Sequence, residues 1–221
     1  MKQPITAVAL VLLLTTIECI AQEVTPETPV TPMATIDDVT IELVYLGMSK
    51  TLSANVVAQG YVAYGYDDDI GLAIADLGRA VNKNVQLGGR YVFFGSTGNS
   101  DQHSVWGYLN AEKYFSDSWR VDTRQVIEYR FDTSGVSSRT RYRPRFRVSY
   151  FGKLAARRYQ AYASVEPIFN LTDDNDDQTS WAVGGFLEIG KHAQFNVFYQ
   201  FTDTERGPDF HFPGIGLLLS Y

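Results

Sequence analysis

From Arg139 to Arg147 every second residue is an arginine: Arg139, Arg141, Arg143, Arg145 and Arg147 alternate with Thr140, Tyr142, Pro144 and Phe146. Side chains point to opposite faces of a strand in turn, whereas they wrap around a helix. A helix would spread these five charges over its whole circumference; a strand gathers them on one face against an apolar opposite face. Period two decides the local structure. The same phase governs 119–131, where Arg120, Asp122, Arg124, Glu128 and Arg130 oppose Val121, Ile127, Tyr129 and Phe131. It returns in 179–189, with Trp181, Val183, Leu187 and Ile189 against Ser180, Ala182, Gly184 and Glu188.

Alternating segments fill most of residues 39–221, near 39–47, 54–66, 70–81, 85–95, 103–115, 119–131, 139–151, 159–170, 179–189, 194–202 and 211–221. Their connections sort into two kinds. Residues 82–84, 116–118 and 190–193 make tight turns, while 96–102, 132–138, 171–178 and 202–209 are longer, polar and mostly acidic. Residues 152–158 read as a longer stretch on the turn side. Short turns at one end and long loops at the other are the habit of a transmembrane β-barrel, with turns in the periplasm and loops outside. The fold class expected is therefore all-β, an antiparallel transmembrane barrel. An arginine on the lipid face costs about 2–4 kcal/mol at the midplane, so the charged face must line the lumen. The expected lumen-lining set is Arg120, Asp122, Arg124, Glu128, Arg130, Arg139, Arg141, Arg143, Arg145, Arg147, Glu166 and Glu188.

Composition narrows the alternatives. The 13 Phe, 14 Tyr and 18 Gly suit strands and turns. A mean hydropathy of −0.15 excludes a bundle of membrane helices, each of which needs about 20 apolar residues. A formal charge of −6 argues against a nucleic-acid partner. The lone Cys19 can form neither an internal disulfide nor a multi-cysteine metal site, and no cofactor or metal is expected.

The first 21 residues read as a secretory signal peptide: Lys2, an apolar run over 5–17, and Cys19-Ile20-Ala21 before Gln22. Ile17-Glu18 makes a poor lipobox for Cys19. Residues 22–38 form a Pro-rich periplasmic tail, with Pro26, Pro29 and Pro32 at every third position favouring polyproline II. The barrel then occupies 39–221. Export points to the outer membrane of a Gram-negative envelope, with membrane lipid, lipopolysaccharide and the barrel assembly machinery as partners of a monomer. Ile215, Leu217, Leu219 and Tyr221 alternate up to an aromatic last residue, similar to the C-terminal signal that this machinery reads. Tyr114, Phe115, Trp119, Tyr150, Phe151 and Tyr221 gather at the periplasmic ends, where a barrel carries an aromatic girdle.

The succession Trp119–Phe131, Ser138–Tyr150 and Ser164–Asn170 resembles the bacterial outer-membrane barrels catalogued as domain of unknown function 2490. Those proteins show an Arg/Glu-rich strand, an Arg-rich strand, a Glu-Xaa-hydrophobic-Phe strand and a Gly-rich aromatic strand in this order. The resemblance covers residues 39–221 and is specific over 119–201; it implies a fold and a location but no activity. The arginine tracks with Tyr142-Arg143-Pro144 are also similar to small monomeric porins for acidic oligosaccharides.

Two roles suit the arginines. Paired with Asp122, Glu128, Glu166, Glu188 and Glu112 they stiffen a narrow barrel; left in excess they form a cationic track for small anionic solutes, because guanidinium forks match carboxylate and phosphate. The rival classes are an enzyme acting at the outer rim and a surface-binding or adhesion barrel. An enzyme is not expected. His103 and Ser104 fall on opposite faces, Asp209 and His211 lack a second acidic pair, and Asp173–Asp177 opens like a calcium loop but has Gln178 at position six and Gly184 at position twelve. Eleven segments conflict with the even strand number of bacterial barrels. Twelve strands are expected, with ten or a tail threaded through the lumen as alternatives.

Overall fold

The computed structural model describes residues 38–65, 70–96, 101–133, 138–172, 177–205 and 207–221. The signal segment, the tail up to residue 37 and residues 173–176 of the acidic loop lie outside the described residues. The elements are β1 (Val39–Thr40), β2 (Leu43–Ser53), β3 (Val56–Gly65), β4 (Ile70–Asn82), β5 (Val85–Ser96), β6 (Gln102–Tyr114), β7 (Trp119–Asp132), β8 (Ser138–Leu154), β9 (Arg157–Asn170), β10 (Gln178–Gly190), β11 (Ala193–Thr204) and β12 (Phe210–Ser220).

From β2 to β12 each strand pairs antiparallel with the next in sequence. The ring closes between β2 and β12, which run parallel from Leu43 opposite Gly214 to Ser49 opposite Ser220. The short β1 lies outside the ring and continues the same register along β12, with Val39 opposite Phe210. Among the described residues there are twelve strand elements, of which eleven close the barrel. The expectation of a purely antiparallel barrel is thereby corrected. Even numbers follow only when every neighbour is antiparallel; one parallel closing pair makes the ring odd. It also places residue 38 at the loop end, where Val39 N donates to Asp209 O at 2.8 Å.

Two boundaries move for local reasons. The segment expected over 39–47 divides into β1 and β2, β2 runs on to Ser53, and the chain turns at Ala54-Asn55. The stretch 152–158 is not a loop: β8 extends to Leu154 and turns at Ala155-Ala156, with Ala155 at a φ of 56°. Gly152 permits this extension, since a Cβ there would stand 2.6 Å from the Tyr159 ring on the paired strand.

The molecule is apolar outside and polar inside. Val62, Leu77, Val105, Ile127, Trp181 and Val197 are each about half exposed on the outer face, whereas Glu128, Arg141, Ser149, Glu166 and Asn196 are buried. A soluble fold shows the reverse. Leu218, which breaks the alternation of β12, turns inward and lines the interior beside Tyr45.

Aromatic residues mark both ends. At the turn end Trp119 meets Tyr150 edge-on at 5.0 Å, and His192 stacks on Tyr221 at 6.4 Å. Tyr114 and Phe151 do not join this outward set. They keep the inward phase and receive the Arg120 guanidinium at 5.8 and 5.1 Å. At the loop end His103 stacks on Phe131 at 5.2 Å and bonds the Tyr91 hydroxyl at 2.6 Å, and Tyr199 bonds His211 in the same way.

Candidate functional site

The register of β6, β7 and β8 sets Trp106, Glu128 and Arg141 side by side, and Arg124 beside Arg145. Like charges directly opposite repel, so the long side chains reach diagonally for carboxylates. Arg145 Nη2 donates to Asp122 Oδ1 at 2.9 Å, and Arg143 Nη1 donates to Glu128 Oε2 at 2.8 Å. Arg143 also engages Glu166 of β9 through Nε at 2.7 Å and Nη2 at 2.5 Å, while Arg124 Nη2 reaches the other Glu166 oxygen at 2.7 Å. Glu128 further accepts from Ser104 Oγ at 2.8 Å and Arg130 Nε at 3.1 Å. Arg120 lies 3.2 Å from Glu112 and 3.7 Å from Asp122. Alternating charge thus crosses the wall in two runs, Glu112–Arg120–Asp122–Arg145 over β6, β7 and β8, and Arg130–Glu128–Arg143–Glu166–Arg124 over β7, β8 and β9.

Of the remaining residues singled out from the sequence, Arg139 and Arg141 hold the inward face of β8 nearer the loops, opposite Arg130 and Glu128. Glu188 stands apart on β10, opposite Gln194. Ile215 is about half exposed on the outer face of β12, Leu217 and Leu219 keep its phase, and Tyr221 N bonds Ser49 O at 2.9 Å.

A second charged cluster was not singled out by its pattern. Asp76 of β4 is buried, held by Arg90 Nε at 2.7 Å and by the Tyr108 hydroxyl at 2.7 Å. Trp106 links the two clusters, with Arg143, Arg90 and Arg124 over its ring at 4.5, 5.1 and 5.3 Å. Asp76 and Arg90 obey the inward phase, but each is the one charged residue on the inward face of its strand, so period two gives them no row to stand out in.

Some guanidinium capacity is left over. Nε of Arg124, Arg145 and Arg147 is buried without a hydrogen-bond partner among the described residues. Arg147 has no carboxylate within ion-pair distance among them; its guanidinium lies 4.3 Å over the Tyr162 ring. These groups face an interior cavity of about 520 Å³ whose far wall carries Tyr45, Tyr61, Gln59, Gln194 and Gln200. A second cavity of about 320 Å³ opens at the turn end, lined by Lys83, Glu112 and Arg120 among others. Arg145 and Arg147 line both.

The histidine pairs read from the sequence fall apart in space. Ser104 points inward to Glu128 while His103 stacks outside, and Asp209 accepts from Thr204 N at 3.1 Å rather than meeting His211.

The profile of the family described as "Protein of unknown function (DUF2490)" matches residues 45–209, from within β2 to the residue before β12. The chain belongs to this family. As a DUF2490 protein it carries the whole arginine wall, β6 to β9, inside the matched span. A solved structure titled "Bacterial polysaccharide outer membrane secretin" is similar at 13% identity with a TM-score of 0.49, over 72% of this chain. The match spans 62% of that protein's length. No curated protein matches the chain.

Proposed function

We propose that this chain is an outer-membrane β-barrel whose lumen passes small anionic solutes. An apolar outer face with aromatic residues at both ends suits a bilayer, and a closed ring leaves no strand edge in hydrocarbon. The observation that carries the solute class is the charge imbalance around the larger cavity: among the described residues Arg90, Arg124, Arg143, Arg145 and Arg147 line it against the one carboxylate of Glu166. Spare N–H donors beside an aromatic and amide wall offer forked hydrogen bonds to carboxylate or phosphate. Ile215, Leu217, Leu219 and Tyr221 serve as the assembly signal in this reading, and the working unit is a monomer.

The buried position of Glu128 favours a structural role for the part of the wall around it, since a fully engaged carboxylate offers nothing to a passing solute. Both roles coexist, with Glu128 and Asp122 holding the wall and Arg145 and Arg147 facing the open space. Planar bilayers with the purified full chain test the reading. Discrete conductance steps are expected; bilayers that stay insulating around folded, inserted protein would leave the structural role alone standing.

A further inference from the structure

The chain is acidic, with a formal charge of −6, yet its exposed cations gather at one end. Among the described residues every exposed lysine and arginine lies at the turn end, and each of the five turns from β2–β3 to β10–β11 carries at least one. Asp117 is the one exposed acidic side chain there among the described residues. The loop end is the reverse. Asp38, Glu42, Asp203 and Glu205 are exposed, and no lysine or arginine among the described residues is.

Four of the turn-end cations keep the outward phase: Lys50, Arg79, Lys113 and Arg157. Each sits among exposed apolar side chains. Lys50 lies between Met48 and Leu52, and Arg79 between Leu77 and Val81, all more than half exposed. Lys113 stands opposite Val121 with its ammonium 5.3 Å from the centre of the Phe115 ring, and Arg157 stands opposite Leu154. None of the four has a carboxylate within ion-pair distance among the described residues. A long cationic side chain in such a place lays its stem along apolar surface and carries its head out to the polar layer. The four stand on β2, β4, β6 and β9, spread around the ring. A protein docking on one side would meet one or two of them; a ligand that surrounds the barrel meets all four.

We infer that Lys50, Arg79, Lys113 and Arg157 form a ring of phosphate contacts that concentrates anionic phospholipid in the leaflet around the turn end, while the carboxylates of the loop end repel it. The inference rests on the membrane reading above and adds to it a lipid class and a side. Ammonium and guanidinium groups gain charge-assisted hydrogen bonds from phosphate oxygens, and a head group of net negative charge is drawn to them over a zwitterionic one.

The tryptophans make the two ends separable. Trp119 is about half exposed at the turn end, where its carbonyl accepts from Phe115 N at 3.0 Å. Trp181 is about half exposed near the loop end of β10, and Trp106 is buried. The full chain, as W181F or as W119F, is refolded into phosphatidylcholine vesicles. These contain the same minor fraction of either phosphatidylglycerol or phosphatidylcholine brominated at acyl carbons six and seven. Brominated phosphatidylcholine should quench Trp119 in the first chain and Trp181 in the second. Failure at either overturns the membrane reading and this inference with it. Brominated phosphatidylglycerol should quench Trp119 several-fold more than brominated phosphatidylcholine does, and Trp181 no more. The preference at Trp119 should vanish in K50Q/R79Q/K113Q/R157Q. It should also fall without those substitutions when salt is raised to about 1 M, which shortens the screening length to about 3 Å. That arm does not depend on the variant folding. Equal quenching of Trp119 by the two lipids, the same preference at both tryptophans, or a preference that either the substitutions or the salt leaves untouched overturns the ring while leaving the membrane reading intact.

Discussion

Arg143 donates a 2.8 Å hydrogen bond to Glu128, whose side chain has no exposed surface. Removing one member of a buried pair strands the other, at a cost of about 3–5 kcal/mol. E128Q should therefore lower the unfolding midpoint strongly, while E128M combined with R143L should recover part of the loss by removing both charges. Urea titration followed by heat-modifiable gel migration reads both variants. Equal stability of E128Q and the unsubstituted chain would mean that the network does not hold this wall.

The outer face makes the opposite demand. Ile127 neighbours Glu128 in sequence but is 51% exposed on the far side of the strand. An arginine there should cost about 2–4 kcal/mol in a bilayer if the residue lies near the midplane. Folding yield of I127R into vesicles, compared with its yield in detergent micelles, gives the measurement; the deficit should be larger in the bilayer.

The parallel closure has its own test. Leu46 of β2 is partnered with Leu217 of β12. In a chain with Cys19 replaced, L46C and L217C should crosslink on mild oxidation and abolish the mobility shift between heated and unheated samples. Failure to crosslink in the folded barrel would contradict the register.

Period two was enough to read most of this fold, and the reason lies in individual residues. The arginine row of β8 cannot be placed on any other element, and the acidic partners Asp122, Glu128 and Glu166 followed from the same phase. The closure did not follow, because nothing in Leu43–Ser49 distinguishes a parallel from an antiparallel neighbour; both present the same alternation. The hairpin at Ala155-Ala156 escaped because alanine gives no turn signal, and its positive φ is a property of the folded chain. Asp76 and Arg90 were in phase but isolated, and only the ring brings them beneath Tyr108 and Trp106.

Arg147 has no carboxylate partner among the described residues and lines both cavities, so it is where lumen charge should govern permeation most and stability least. The decisive measurement is the reversal potential of the purified chain in planar bilayers under a potassium chloride gradient, before and after R147E. Anion preference in the unsubstituted chain, and its loss or reversal in the variant with heat-modifiable migration intact, is the result predicted. Cation preference in the unsubstituted chain, or a reversal potential that the substitution leaves unmoved, would contradict an anion path past this arginine.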